Sequence, residues 1–205
     1  MGSEMCIRDR GTLGKRLADH YGLPYLDTGK LYRAVGHALI KAGDDPSDAG
    51  KAALAAKVLD VKILSDRVLK SGDVAVAASK VAVHSEVRAT LFQFQRDFAK
   101  SGAVLDGRDI GTVICPDADV KLYIDAAPEE RARRRHLELT GYGEDISFET
   151  VLAQLTERDT RDKTRKEAPL KPAEDAHLID TTHLGIEAVF DLAVEIVDGL
   201  LAIKA

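Results

Sequence analysis

The sequence predicts an α/β fold, with a parallel sheet wrapped on both sides by helices. Three observations predict it. Short buried-type apolar runs alternate with stretches of helical periodicity, the pattern of parallel strands joined by helical crossovers. The chain has 205 residues, enough for one domain or one domain with a small insert. It is 45% hydrophobic and 31% charged, so there is apolar material for a core and no case for disorder as the main state.

The elements follow in order. Gly11 to Leu23 reads as an amphipathic helix, with Leu13, Leu17 and Tyr21 at helical spacing. Gly22 to Gly29 (GLPYLDTG) is a short extended stretch ending in a polar turn. Thr28 is placed to cap the next helix, Gly29 to Ala42. Residues 43–50 (GDDPSDAG) form a loop, and Lys51 to Ala56 is helical. Asp60 to Ala78 contains short β-like stretches around a Ser71-Gly72-Asp73 turn, which suggests an insert. Ser79 to Lys100 is a helix or helix pair. Ala103 to Leu105 and Val120 to Ile124 are strands, each followed by a turn and a helix. Pro128 suits a first helical position, with Glu129 and Glu130 in the first turn. That helix continues over Arg131 to Thr140 and stops at Gly141-Tyr142-Gly143. Ser147 opens a helix running to Arg165. A strand at His177 to Asp180 leads to a last helix, Ile186 to Ala202, with Ile186, Val189, Phe190, Ala193, Ile196, Val197 and Leu200 on one face.

The charge balance is 29 basic against 34 acidic residues, net −5. That disfavours general binding to nucleic acid or anionic membrane. No apolar run is long enough for a transmembrane span. Cys6 and Cys115 make neither a disulfide framework nor a metal set, and the six histidines show no ligand spacing. A reducing, cytoplasmic compartment is expected. Met1 to Arg10 (MGSEMCIRDR) lacks periodicity and a secretory apolar region, and the character changes at Gly11. It reads as a segment foreign to the domain, or as an ordinary floppy tail.

Useful polar residues gather at three places. Leu105-Asp106-Gly107-Arg108-Asp109 follows a strand, where ligands of open α/β sheets bind. There a carboxylate can hold Mg²⁺ through water, a glycine can turn close to a ligand, and an arginine can fork a phosphate. A plain surface turn is the bland alternative. In Arg158 to Lys166, Arg158, Asp162 and Arg165 share one helix face at i, i+4, i+7, though such runs are usually solvated. Arg131, Arg133, Arg134 and Arg135 repel one another unless an anion, a polyphosphate for instance, or solvent neutralises them. Together these point to phosphoryl transfer, a reaction catalysed mainly by placed positive charge.

LDTGKLYR (26–33), SKVAVHSEVRATLFQFQRDFA (79–99), LDGRDIGTVICPDADVKLYI (105–124), ERDTRDKTR (157–165) and APLKPAEDAHLIDTT (168–182) resemble bacterial cytidylate kinase, over nearly everything from Gly11 to Leu201. The resemblance implies a P-loop nucleoside monophosphate kinase, a three-layer sandwich on a parallel sheet with a small monophosphate-binding insert and a short lid. It implies transfer of the ATP γ-phosphoryl group to CMP or dCMP, with Mg²⁺, in cytoplasmic pyrimidine nucleotide metabolism. It implies a core at 11–44 and 96–205, a lid near 136–166, an insert at 45–95, a monomer, and no nucleic-acid or membrane partner. By the same resemblance Thr28 and Arg33 contact the CMP phosphate and its surroundings, and Ser79, Arg88 and Asp109 read the cytosine. Arg108 binds the transferred phosphate and Asp106 sits near Mg²⁺. Arg158 and Asp162 hold the ribose side, Arg165 binds a phosphate, and Arg131 and Arg135 meet ATP together with Gly11 and Thr12.

The N-terminus departs from the family, which has a first strand followed by GPxxSGKGT. Gly11-Thr12 match the last two positions, but Arg10 falls at the lysine, and Asp9 and Glu4 at glycines. The Walker pattern GxxxxGK[ST] is absent, and impaired activity is expected. Loss of the first strand would expose neighbouring strand edges. The rival readings are a catalytically inactive CMP-binding remnant, a kinase for uridylate or adenylate, and an RNA-binding protein using 131–135 and 158–166. The last is disfavoured by net charge and by the lack of interleaved aromatics.

Overall fold

The computed structural model describes residues 9–204. The reading of residues 1–8 as foreign, and the placing of Glu4 at a glycine position, lie outside the described residues. Helix α1 (Asp9–Tyr21) starts two residues before the change of character at Gly11. It leads to strand β1 (Tyr25–Asp27) and helix α2 (Gly29–Ala42). Gly43, at φ 74°, closes α2 in the left-handed conformation that glycine adopts without steric cost. Helix α3 (Ala49–Lys57) is capped by Asp48, whose carboxylate accepts from the Lys51 amide.

The expected β-like stretches between 60 and 78 are not strands. They are two 3₁₀ turns, Val61–Ser65 and Arg67–Lys70, followed by helix α4 (Gly72–Val81). Caps decide this: Asp60, Asp66 and Ser71 accept from the amides of Lys62, Val68 and Val74, so each apolar run is held in a turn from its first residue. Helix α5 (Ser85–Ala99) completes the helix pair expected over 79–100.

Strand β2 (Val104–Asp106) pairs in parallel with β1, Leu26 opposite Leu105 and Asp27 opposite Asp106. The chain after β2 forms one π-helical turn, Ile110–Ile114, in place of the expected helix. Strand β3 (Leu122–Asp125) leads into helix α6 (Pro128–Gly141), with Pro128 in its first turn as expected. Helix α7 (Phe148–Thr164) is capped by Ser147, which accepts from the Thr150 amide. Strand β4 (His177–Asp180) pairs in parallel with β3, and helix α8 (Ile186–Lys204) closes the described chain. The parallel sheet is thus present as two parallel pairs, β1-β2 and β3-β4, with no pairing between β2 and β3 among the described residues.

Two clusters hold the scaffold. Leu13 and Leu17 of α1 pack with Ile179 of β4 and Val189 and Ala193 of α8, against Leu122 and Ile124. Arg16 binds Glu187 through two 2.7 Å bonds, and Tyr21 donates to Asp198 at 2.8 Å, so α1 and α8 are clasped at the surface as well. In the second cluster Leu31, Val35 and Leu39 of α2 meet Ala52 and Ala56 of α3, Val81 of α4, and Val87 and Leu91 of α5. Gly36 lets α4 come close to α2, since a Cβ there would lie 3.0 Å from the Ala77 Cβ and from the Ala78 nitrogen. No described helix is long and apolar enough to cross a membrane.

Candidate functional site

A cavity of about 480 Å³ lies where the strands end. Asp27, Asp106 and Asp125, the last residues of β1, β2 and β3, all line it. Parallel strands bring their carboxyl ends to one side, so three acids distant in sequence meet on one rim. Arg33 of α2, Ser79 of α4, Arg131 and Arg135 of α6, and Arg158 of α7 complete the wall, with Gly11, Gly107 and Arg108. Seven arginines and Lys163 face five carboxylates in this lining, so the cavity favours an anion.

From the wall inward runs a continuous chain of alternating charges. Arg131 holds Asp159 at 2.7 Å, and Asp159 lies 3.7 Å from Arg108. Arg108 Nε meets Asp162 Oδ2 at 2.9 Å. Asp162 is 3.7 Å from both Arg158 and Arg165, and Arg165 is 3.8 Å from Asp109. Asp109 Oδ2 accepts from Arg88 Nη2 in a pair that is 6% and 8% exposed. Helix periodicity positions the middle of the chain: Arg158 and Asp162 are one turn apart on α7, and Arg165 follows at its C-terminal cap. Burial, and then the neighbouring Arg88 charge, pull the Arg165 guanidinium below its ordinary pKa, while Asp109 and Asp162 oppose that shift. Burial raises the Tyr32 hydroxyl, whose ring lies under the Arg88 guanidinium at 6.0 Å.

Most of the expected site residues converge. Arg33, Ser79, Asp106, Arg108, Arg131, Arg135, Arg158 and Gly11 line the cavity, whereas Arg88, Asp109, Asp162 and Arg165 stand behind it in the charge chain. Thr12 sits in the first turn of α1 and does not line the cavity. Thr28 does not cap α2. Its buried hydroxyl donates to the Asp106 carbonyl at 2.8 Å and ties the end of β1 to the end of β2. The α6 arginines are neutralised by protein carboxylates, a solution outside the two anticipated: Glu130 takes Arg133 and Arg134, Glu138 takes Arg135, and Asp159 takes Arg131. The bland reading of Arg108-Asp109 as a solvated turn fails too, because each residue pairs with a distant helix instead of with its neighbour. Sequence reasoning passed over Asp159 as a site residue, although it stands one helical turn before Asp162 in the same charged run.

Two groups on the wall are informative about ligands. Ser79 Oγ is buried with no hydrogen-bond partner among the described residues, an arrangement that costs free energy unless a ligand supplies a partner. Asp106 and Asp27 stand side by side in the strand register, and hard oxygen donors of this kind suit Mg²⁺. Among the described residues no group of three or more His, Cys, Asp or Glu could hold a metal ion alone. The pair therefore fits an ion that keeps its waters and borrows phosphate oxygens.

A family model described as cytidylate kinase matches residues 8–199. A protein named cytidylate kinase from Rhodopseudomonas palustris is 51% identical over 195 residues, 94% of this chain and 92% of the relative. One from Methylocella silvestris is 53% identical over 192 residues, 93% of this chain and 89% of the relative. One from Brucella suis is 49% identical over 195 residues, 94% and 89% of the two chains.

Proposed function

Because this chain belongs to the cytidylate kinase family, we propose that its site carries a phosphoryl group from ATP to CMP or dCMP, giving CDP or dCDP. The observation that supports this most is the charge chain that runs from Arg131 on the wall of an anion-favouring cavity at the strand ends to Arg88 behind it. In-line phosphoryl transfer asks the protein for positioning and for positive charge around the moving oxygens, with no covalent enzyme intermediate. Arg108, fixed by Asp162, takes the transferred group, and Arg131 and Arg135 flank it from α6. Arg33 and Arg158 face the CMP phosphate and ribose, with Thr28 setting the strand ends beside them and Arg165 supplying charge from behind. Ser79 and Asp109 accept from the cytosine amine, and Arg88 donates to the ring. A Mg²⁺ ion held through water by Asp106 would supply neutralisation of the phosphate oxygens.

The ATP half is the weak half of this site. Gly11 and Thr12 remain in the first turn of α1, but the sequence before them lacks the glycines and lysine of the family's phosphate loop. Backbone amides need glycine freedom to cradle a β-phosphate. The chain, acting as a monomer on small molecules in the cytoplasm, is therefore read as a CMP site with impaired turnover. That is the observation favouring the second reading, an inactive CMP-binding member.

A coupled assay of ATP consumption with CMP, dCMP, UMP and AMP tests this. Losing one preorganised charge-stabilising group costs about 10²–10³-fold in rate. We expect CMP and dCMP to be the preferred acceptors, at rates at least about 10²-fold below a variant carrying the family's GPxxSGKGT pattern at this position. Preference for UMP or AMP in that variant would overturn the substrate assignment. Robust turnover by the unaltered chain would overturn the impairment.

A further inference from the structure

The turn after β2 is gripped at both ends by one helix. It is a single π turn, Ile110–Ile114, in which Ile114 donates to the Asp109 carbonyl at 3.2 Å and Cys115 to the Ile110 carbonyl at 2.7 Å. Such turns are rare, and what holds this one comes from outside it. Arg88 of α5 pairs with the Asp109 carboxylate at the front of the turn. Arg96, about two turns further along α5, donates from Nη1 to the Ile114 carbonyl at 2.8 Å at the end of it. The same nitrogen meets Asp117 Oδ1 at 3.0 Å. Ile114 is buried, and its carbonyl is one of those that a helical turn leaves without a partner of its own. Asp109 occupies the N-cap position, where an aspartate ordinarily accepts from the amides of its own turn. Here it makes no such cap, and its carboxylate goes to Arg88 and Arg165 instead. A local cap and the buried arginine pair thus compete for one carboxylate.

We propose that Arg96 is a positioning residue for selection of the nucleotide base. By holding the Ile114 carbonyl it fixes the π turn in the shape that denies Asp109 its local cap and keeps the carboxylate on Arg88. This role rests on the reading of Asp109 as an acceptor from the cytosine amine. Arg96 stands outside the lining of the nucleotide cavity, so it acts through the turn and touches no substrate. It shares the anchoring with Lys121, which donates to the Pro116 carbonyl at 2.6 Å and to the Asp175 carboxylate at 2.7 and 2.9 Å. The Lys121 chain also packs on Gly111, where a Cβ would lie 3.1 Å from its Cδ. Without Arg96 the segment therefore stays anchored, but the end of the turn is released. Val113 already donates to the Asp109 carbonyl at 2.9 Å, the bond of an α-helical turn. A turn released to tighten around that bond offers its first amides to the Asp109 carboxylate and draws it off Arg88.

Arg96→Met keeps an unbranched chain and removes its donors. CMP and UMP are titrated by calorimetry into the full chain, into Arg96→Met and into Asp109→Asn, and amide hydrogen exchange is followed at Ile114 and Cys115. We expect Arg96→Met to lower the CMP/UMP affinity ratio about three-fold or more, the scale of one lost hydrogen bond, and to quicken exchange at both amides. If Asp109→Asn lowers the ratio while Arg96→Met weakens both nucleotides equally or neither, the proposal is overturned, since Arg96 then serves stability alone. Unchanged exchange at Ile114 and Cys115 would overturn it without reference to any nucleotide. If Asp109→Asn leaves the ratio unchanged, the reading of Asp109 itself fails and this role falls with it. Should Arg96→Met not fold, Asp117→Ala decides in its place, because the Asp117 side chain is 72% exposed and is the second group holding Arg96. It is expected to lower the ratio about two-fold, as befits a surface pair, and an unchanged ratio there overturns the proposal.

Discussion

Asp109 is held between two arginines before any nucleotide arrives: one oxygen accepts from Arg88 and the other faces Arg165 at 3.8 Å. An ionised carboxylate has about four acceptor sites, so the pair leaves capacity for an amine hydrogen. Cytosine offers that amine where uracil offers a carbonyl. Asp109→Asn keeps the size and presents a donor amide to the same spot. We expect CMP affinity to fall and the CMP/UMP affinity ratio to drop toward one, with about 1–3 kcal/mol at stake for a buried polar group left unpaired. Titration of both nucleotides into both proteins measures it, and an unchanged ratio would remove Asp109 from base recognition. Which residues gather at the strand ends was legible in the sequence, but their partners were not. Asp109 beside Arg108 reads as a local pair. The fold instead pairs Asp109 with Arg88 of α5 and Arg108 with Asp162 of α7, across stretches of chain that no local pattern joins.

At the scale of elements, α4 carries Ser79 into the cavity wall and is positioned by its contact with α2 at Gly36. Gly36→Val would push into the Ala77 Cβ and the Ala78 backbone, atoms that cannot swing aside. Overpacking costs about 1–3 kcal/mol, which for a chain of this size lowers the melting midpoint by about 2–12 °C. We expect that fall by calorimetry, with weakened CMP binding as Ser79 shifts. An unchanged midpoint would show that α4 is not set by this contact. Helices with local signals were legible to within a residue or two: Pro128 opens α6, Ser147 caps α7, and Gly43 ends α2. The insert was misread for an equally local reason. Valines and isoleucines between 61 and 76 carry strand propensity, but Asp60, Asp66 and Ser71 divert their backbone into turns and a helix, and alanines let α4 pack flat on α2.

Over the whole molecule, the residues assigned to CMP outnumber those assigned to ATP among the described residues. The residues assigned to CMP come from α2, α4, α5, α7 and the chain after β2, and they are joined by hydrogen bonds or ion pairs or share one cavity wall. The residues assigned to ATP are, among the described residues, Gly11 and Thr12 in the first turn of α1, with Arg131 and Arg135 lining the cavity. The sequence carried the family because its motifs span several elements in the right order. Among the described residues the sheet divides into two pairs, in keeping with the strand edges expected from the departure at the N-terminus. That imbalance makes nucleotide binding, separate from turnover, the central claim. Titrating CMP, UMP and ATP into the folded chain with Mg²⁺ by calorimetry tests it most directly. The account predicts saturable CMP binding at one site, UMP at least about ten-fold weaker, a difference of about 1.4 kcal/mol, and ATP weaker than CMP. Measurable ATP affinity with no CMP affinity would contradict it.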